Sequence, residues 1–137
     1  TNDPAGTVSI IEVNNNYAVT TIDFAAFVSQ EATLKAAGLR VFGIGNNFVK
    51  DMEPEYVTIS GDSKTAWVTL QENNAIAKID IASKTVTNIF PLGFKDYNTN
   101  ENAIDVSDLD GAVGSFAKWP VKGVYKPMKA MPGNTQR

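Results

Sequence analysis

Short apolar runs rich in β-branched residues, each closed by a tight polar turn, set the pattern of this chain from Glu55 to Leu92. The runs are EYVTIS (Glu55–Ser60), TAWVTLQ (Thr65–Gln71), NAIAKIDI (Asn74–Ile81) and TVTNIFPL (Thr85–Leu92). They are separated by GDSK, by a Glu72–Asn73 turn and by ASK. Strands at about ten-residue spacing with hairpin connections predict one antiparallel meander of four strands. Ala75, Ala77, Ile79 and Ile81 on one side of a strand, and Ile76 on the other, predict a sheet covered on both faces. Trp67, in mid-strand, is then expected in the core.

The same pattern occurs once more near the start of the chain. GTVSIIEV (Gly6–Val13) lines up with NAIAKIDI (Asn74–Ile81), placing Val8 over Ile76, Ile11 over Ile79 and Glu12 over Asp80. AVTTI (Ala18–Ile22) lines up with TVTNI (Thr85–Ile89). Val8–Val13 and Ala18–Phe24 therefore read as two strands joined by the Asn14–Asn15–Asn16 turn, asparagine tolerating left-handed backbone angles. A strand–turn–strand unit used twice points to a repeat architecture, whose units need stacked neighbours to bury their apolar faces. The chain reads as a piece of something larger, one that aggregates or stays poorly ordered when alone. A start at Thr1 and an end at Arg137 fit a processed or trimmed fragment.

Between the two copies, Ala25–Val49 reads as an insertion. SQEATLKAAGLR predicts a short helix with Ser29 as its cap and Gly38 as its end. After Gly93 the texture changes. Asn98–Asp110 is rich in Asn and Asp, and the remainder is punctuated by Gly and Pro, which predicts a long loop with a strand only near Val121–Tyr125. The expected fold is all-β, a fragment of about two to three blades of a β-propeller with a short helical insertion. Its parts are the end of one blade (1–24), an insertion (25–52), one four-stranded blade (53–92) and a long loop leading to the next blade (93–137).

Composition narrows the function. Twelve Lys and Arg against fifteen Asp and Glu give a net charge of −3, and the basic residues are scattered, which argues against nucleic acid as a partner. No apolar run in this segment is long enough to span a bilayer. Cysteine and histidine are absent, which removes disulfides, thiolate and imidazole metal sites, and Ser–His or Cys–His nucleophile pairs. Any metal here would be a hard cation held by oxygens.

Glu53–Asp96 resembles the blade repeat of extracellular β-propellers, with a PEG-like start, a SPDGKT-like turn and an N-x-h-x-h-h-D strand. The chain is more closely similar to the choice-of-anchor I propellers of bacteria, relatives of the mesenchyme-specific cell-surface glycoproteins of echinoderm biomineralising cells. The elements that carry this are EPEY (Glu53–Tyr56), TAWVTLQENNA (Thr65–Ala75), PLGFKD (Pro91–Asp96), the acidic Asp105–Gly111 run and WPVKG (Trp119–Gly123). Where the family tends to read Y-x-P-D, Met128 follows Tyr125-Lys126-Pro127. The resemblance implies an extracellular, cell-surface or periplasmic location and a parent several times longer. The absence of an N-x-S/T sequon favours a bacterial source.

The residues with candidate chemistry are few. Glu53 and Glu55 bracket Pro54 at the start of the strand that would line a propeller channel, where carboxylates can gather Ca²⁺; the alternative is one solvated acid and one bonded to a neighbouring backbone. Asp105, Asp108 and Asp110 lie in a second acidic stretch. An EF-type loop fails there, because with Gly111 at position 6 the first ligand position is Val106. A looser Ca²⁺ site or an Asp-rich turn that binds its own backbone remain as readings. Gly43-Ile44-Gly45 is no nucleotide fingerprint, and Ser60, Ser63 and Ser115 have no partner base. The leading expectation is a non-catalytic extracellular module for binding, adhesion or scaffolding, with Ca²⁺ as its only candidate cofactor. Its expected partners are the remaining blades of the same protein, or further copies through self-association. The alternatives are a Ca²⁺-dependent phosphoesterase of the phytase type, on fold analogy, and a self-assembling matrix protein.

Overall fold

The computed structural model describes residues 4–43, 47–107, 109, 111, 114 and 116–127. The chain forms two compact units, Thr1–Leu92 with Lys126–Arg137, and Gly93–Tyr125.

The first unit begins with an antiparallel hairpin of β1 (Val8–Glu12) and β2 (Ala18–Ile22). A 3-10 segment (Ala25–Gln30) runs into α1 (Glu31–Ala36). A meander then follows: β3 (Pro54–Ile59), β4 (Thr65–Leu70), β5 (Ala75–Asp80) and β6 (Thr85–Pro91), hydrogen-bonded in that order. The described structure is thus all-β with one short α-helix, and the meander has the form of a propeller blade. Every turn of the meander uses one left-handed residue, Ser63, Asn74 or Lys84.

Register separates the two faces of the sheet. Directly opposed residues share a face, so Ala66, Val68, Leu70, Ala75, Ala77, Ile79 and Ile89 form one side, and all are buried. Phe24, Phe27, Leu34, Leu39, Phe48 and Met52, from the helical segment and the loops around it, complete that core, and Val8, Ile10 and Ile22 of the hairpin pack against it. The other side carries Trp67, Ile76, Lys78 and Phe90 and stays half open: Phe90 is 43% exposed. There the Trp67 and Phe90 rings meet at 5.9 Å and the Lys78 ammonium lies over the Trp67 ring. The expectation of a sheet covered on both faces, with Trp67 in the core, is therefore corrected for the described residues. Small and apolar positions on both sides identify a strand that can be covered twice, without requiring that it is.

Ser29 does not cap α1. The helix starts two residues later, after Gln30, with no side-chain cap. Gly38 does end it, at φ +111°, and the Leu39 and Gly38 N–H groups donate to the carbonyls of Leu34 and Lys35. This is the Schellman arrangement, and its accompanying apolar pair, Leu34 with Leu39, lies in the core. Gly6 is required by proximity: a Cβ there would stand 2.0 Å from the Met52 carbonyl oxygen. The N–H of Gly6 donates to Val49, so the start of the repeat is pressed against the end of the insertion.

Turn carboxylates hold the connections. Asp62 Oδ1 accepts from the Ser60 hydroxyl at 2.7 Å and the Lys64 N–H at 3.1 Å, and Asp80 Oδ1 accepts from the N–H and hydroxyl of Ser83, each at 2.7 Å. Glu12 pairs with the Lys84 ammonium, joining hairpin to sheet. Hydrogen bonds from Ser60 and Lys64 lower the Asp62 pKa, those from Ser83 lower that of Asp80, and the bond and charge of Lys84 lower that of Glu12. All three groups thus bind protons less readily folded than unfolded. Their stabilisation is complete above the ordinary carboxylate range of about pH 4 and is lost as pH falls through their lower folded values. Urea midpoints taken between neutral pH and about pH 3 should therefore fall on the acid side; a flat profile would contradict these turn assignments.

In the second unit β7 (Lys95–Asp96) pairs antiparallel with β8 (Lys122–Gly123), and Ile104 bridges Ala117. A strand expected near Val121–Tyr125 is thus present, reduced to two residues and paired with one the sequence did not announce. Its aromatic rings face cations: the Lys95 ammonium is 5.4 Å from the Tyr97 ring centre, and that of Lys122 is 5.9 Å from Phe94.

Candidate functional site

The most specific motif in the chain, TAWVTLQENNA, ends in the β4–β5 turn, and that turn is where the buried polar groups gather. Asn73 and Asn74 are fully buried and Asp51 nearly so. The Asn73 Nδ2 amide donates to the carbonyls of Asp51 (2.6 Å) and Arg40 (3.0 Å), and its Oδ1 accepts from the Glu53 N–H at 2.9 Å. The Asn73 carbonyl accepts from the Arg40 N–H. One side chain thus ties together three points on a loop that has no regular ladder of its own.

Its neighbours extend the network. The Asn74 Nδ2 donates to the Gly38 carbonyl at 3.1 Å, fastening the helix end, while its backbone sits at φ +55°, where asparagine costs less than most residues. Asp51 accepts from the Phe42 N–H at 2.8 Å and the Gly43 N–H at 2.7 Å, one on each oxygen. Arg40 donates to the Glu72 carbonyl and lies 4.4 Å from the centre of the Phe42 ring. Lys126 pairs with Glu72 at 3.1 Å. Among the described residues no buried side-chain nitrogen or oxygen lacks a partner. Groups satisfied in this way fix a conformation. Sequence reading treated Glu72–Asn73 as a plain turn and missed this network. The available signal was two consecutive asparagines in a connection that uses only one left-handed residue, Asn74.

The expected acidic sites fall as follows. Glu53 and Glu55 are both exposed, Glu55 on β3 at the edge of the meander. The register of β3 slips between Pro54 and Val57, and the Tyr56 N–H donates instead to the Thr69 hydroxyl. In the second unit Asp105 is half-buried, its Oδ1 accepting from the Ser107 N–H at 3.4 Å and its Oδ2 from the Gly114 N–H at 2.9 Å. That is the turn-forming arrangement in which an aspartate closes a loop over its own backbone. Asp108 and Asp110 lie outside the described residues, as do Ile44, Gly45, Ser115 and Met128. Among the described residues no three acidic side chains stand grouped as a metal site would need.

The surface is rich in apolar side chains. On the meander and hairpin Tyr56, Val57, Ile59, Ile11 and Val19 are each more than half exposed, and on the second unit Phe116 and Tyr125 are as well. An apolar cleft of about 300 Å³ runs between hairpin and sheet, lined by Val8, Ile10, Val57, Ile59, Ala66 and Ile79. No helix among the described residues is long and apolar enough to cross a membrane.

No curated protein and no solved structure matches the chain. The family model of the choice-of-anchor I domain matches residues 1–135, a span that takes in the hairpin, the helical segment, the meander and the second unit. The repeat, the blade-like meander and this match lead to one assignment: the chain belongs to the choice-of-anchor I domain family.

Proposed function

We propose that this chain is a non-catalytic module of a protein exposed outside the cell, working by binding, adhesion or scaffolding. The observation that carries the reading is the fate of its most specific motif. Asn73, Asn74 and Asp51, the residues whose chemistry could have served a substrate, are buried and occupied by backbone groups. What faces outward is aromatic and aliphatic surface on strands, the material of contact rather than of bond-making. Membership of a family named for anchoring supports the location.

Two experiments address this. Protease treatment of intact cells of the source organism should remove the segment without lysis; its survival on intact cells, and loss only after lysis, would overturn the location. The purified chain with Ca²⁺ should release no phosphate from a model phosphate ester; turnover above the protein-free control would overturn the non-catalytic reading in favour of a phosphoesterase.

Calcium enters this proposal through the Asp105 loop. Asp105 is half-buried within an acidic stretch, and carboxylate oxygens are the hard donors that Ca²⁺ takes. Flexible acidic loops of extracellular modules bind Ca²⁺ weakly, at about 10⁻⁴–10⁻³ M. Calorimetry with CaCl₂ should show binding in that range that Asp105→Ala abolishes. No binding heat, or heat unchanged in the variant, removes calcium from the account.

A further inference from the structure

The chain leaves the sheet unit after Leu92 and re-enters it at Lys126, and one residue holds both points. The Asn74 carbonyl accepts from the Leu92 N–H at 3.0 Å, and the Asn74 Oδ1 accepts from the Lys126 N–H at 3.4 Å. The Lys126 ammonium reaches Glu72, in the same turn, at 3.1 Å. Departure and return are thus one asparagine apart, a gap that about three extended residues would span. The backbone passes through a left-handed residue at each end, Gly93 at φ +73° and Lys126 at φ +44°.

What lies between these points is held differently from the sheet unit. Among the described residues the buried apolar side chains run from Phe24 to Ile89, all in the sheet unit, and no described residue of Gly93–Tyr125 is buried. The second unit is held by short pairings instead. Besides the two rungs of β7 and β8, the Trp119 N–H donates to the Tyr97 carbonyl at 3.0 Å and the Trp119 indole to the Ile104 carbonyl at 3.3 Å. Gly123 lies so close under the Tyr97 ring that a Cβ would stand 2.8 Å from it. Segments with few buried apolar side chains open at lower free energy than a core, in contiguous cooperative units. An inserted segment with adjacent ends can do so without pulling on its host. We infer that Gly93–Tyr125 opens as a unit of its own while the sheet unit stays folded, and that the Asn74 clasp stops the opening at Leu92 and Lys126. Asn74 then has two tasks: its amide nitrogen fastens the helix end at Gly38, and its amide oxygen closes the neck of the second unit. Segments that rearrange around a partner are drawn from this low-stability end, so the second unit is the part of the chain able to adapt without loosening the core.

Native-state hydrogen exchange of the whole chain tests both parts. The amides of Tyr97, Ile104, Ala117 and Trp119 are all hydrogen-bonded inside the second unit. In wild type they should share one protection level, exchanging roughly a hundredfold or more faster than the β4 and β5 amides. The Leu92 and Lys126 amides should exchange with the sheet. In Asn74→Ala the Lys126 amide should move to the level of the second unit. In Asn74→Asp, which keeps an oxygen at that point, it should stay with the sheet. Each amide is compared with β4 and β5 in the same sample, so a general loss of stability in a variant does not mimic the effect. One protection level across both units in wild type would overturn the inference. A Lys126 amide that exchanges with the second unit in wild type, or that is unmoved in Asn74→Ala, would overturn the clasp.

Discussion

Replacing Asn73 by Ala should destabilise the chain by roughly 3–5 kcal/mol, a large effect for an uncharged turn residue. The reason is the number of backbone groups that depend on one amide. The carbonyls of Arg40 and Asp51 and the N–H of Glu53 all lose their partner at a position from which water is excluded. Each unsatisfied buried group costs about 1–3 kcal/mol, partly relieved as the loop loosens. Asn73→Asp separates donor from acceptor. The carboxylate would still accept from Glu53, but it would set an oxygen against two carbonyls, so it should be at least as damaging as alanine. Equilibrium urea unfolding measures both. If Asn73→Asp approached wild type, the amide orientation described above would be wrong.

Phe48→Ala should cost about 3–5 kcal/mol, with a reduced urea midpoint. Phe48 is 1% exposed and belongs to the segment between α1 and β3, which by sequence looks like an appendage to the repeat. It lies instead in the same core as Leu70, Ala77 and Ile79, with Phe24 and Met52 beside it. A four-stranded sheet with one buried face needs cover, and here the inserted segment supplies it. Were the insertion a decoration, the substitution would cost under about 1 kcal/mol, as surface changes do.

These two sites show what was legible in the sequence and what was not. The meander was legible because the period of its apolar residues and its turn chemistry agree: β4 to β6 lie within their expected runs, and β3 is displaced from its own by one residue, starting at Pro54. The hairpin was legible from its resemblance to β5 and β6. The helix end at Gly38 was legible because only glycine is comfortable there, whereas its start was misplaced because Ser29 is a good cap in general and makes no cap here. The Asn73 network was illegible for a physical reason. Its partners are backbone groups at positions 40, 51 and 53, and backbone groups leave no mark in a sequence. Asp105 was legible as a candidate ligand by its type, whereas the backbone N–H groups of Ser107 and Gly114 that its carboxylate accepts from were not. Asp51, the buried aspartate among the described residues, stood in no motif at all.

The central claim is that the β4–β5 turn anchors the inserted loop to the sheet, so that the family's most specific motif serves architecture. Native-state hydrogen exchange of the amides of Arg40, Phe42, Gly43 and Glu53 tests it most directly. All four donate to the Asn73 carbonyl, the Asp51 carboxylate or the Asn73 side chain. They should exchange together with the β4 and β5 amides in wild type, as one cooperative unit, and become the first to exchange in Asn73→Ala. Exchange of these four amides orders of magnitude faster than the sheet in the wild-type protein would contradict the claim, and would leave the QENN turn open to a ligand.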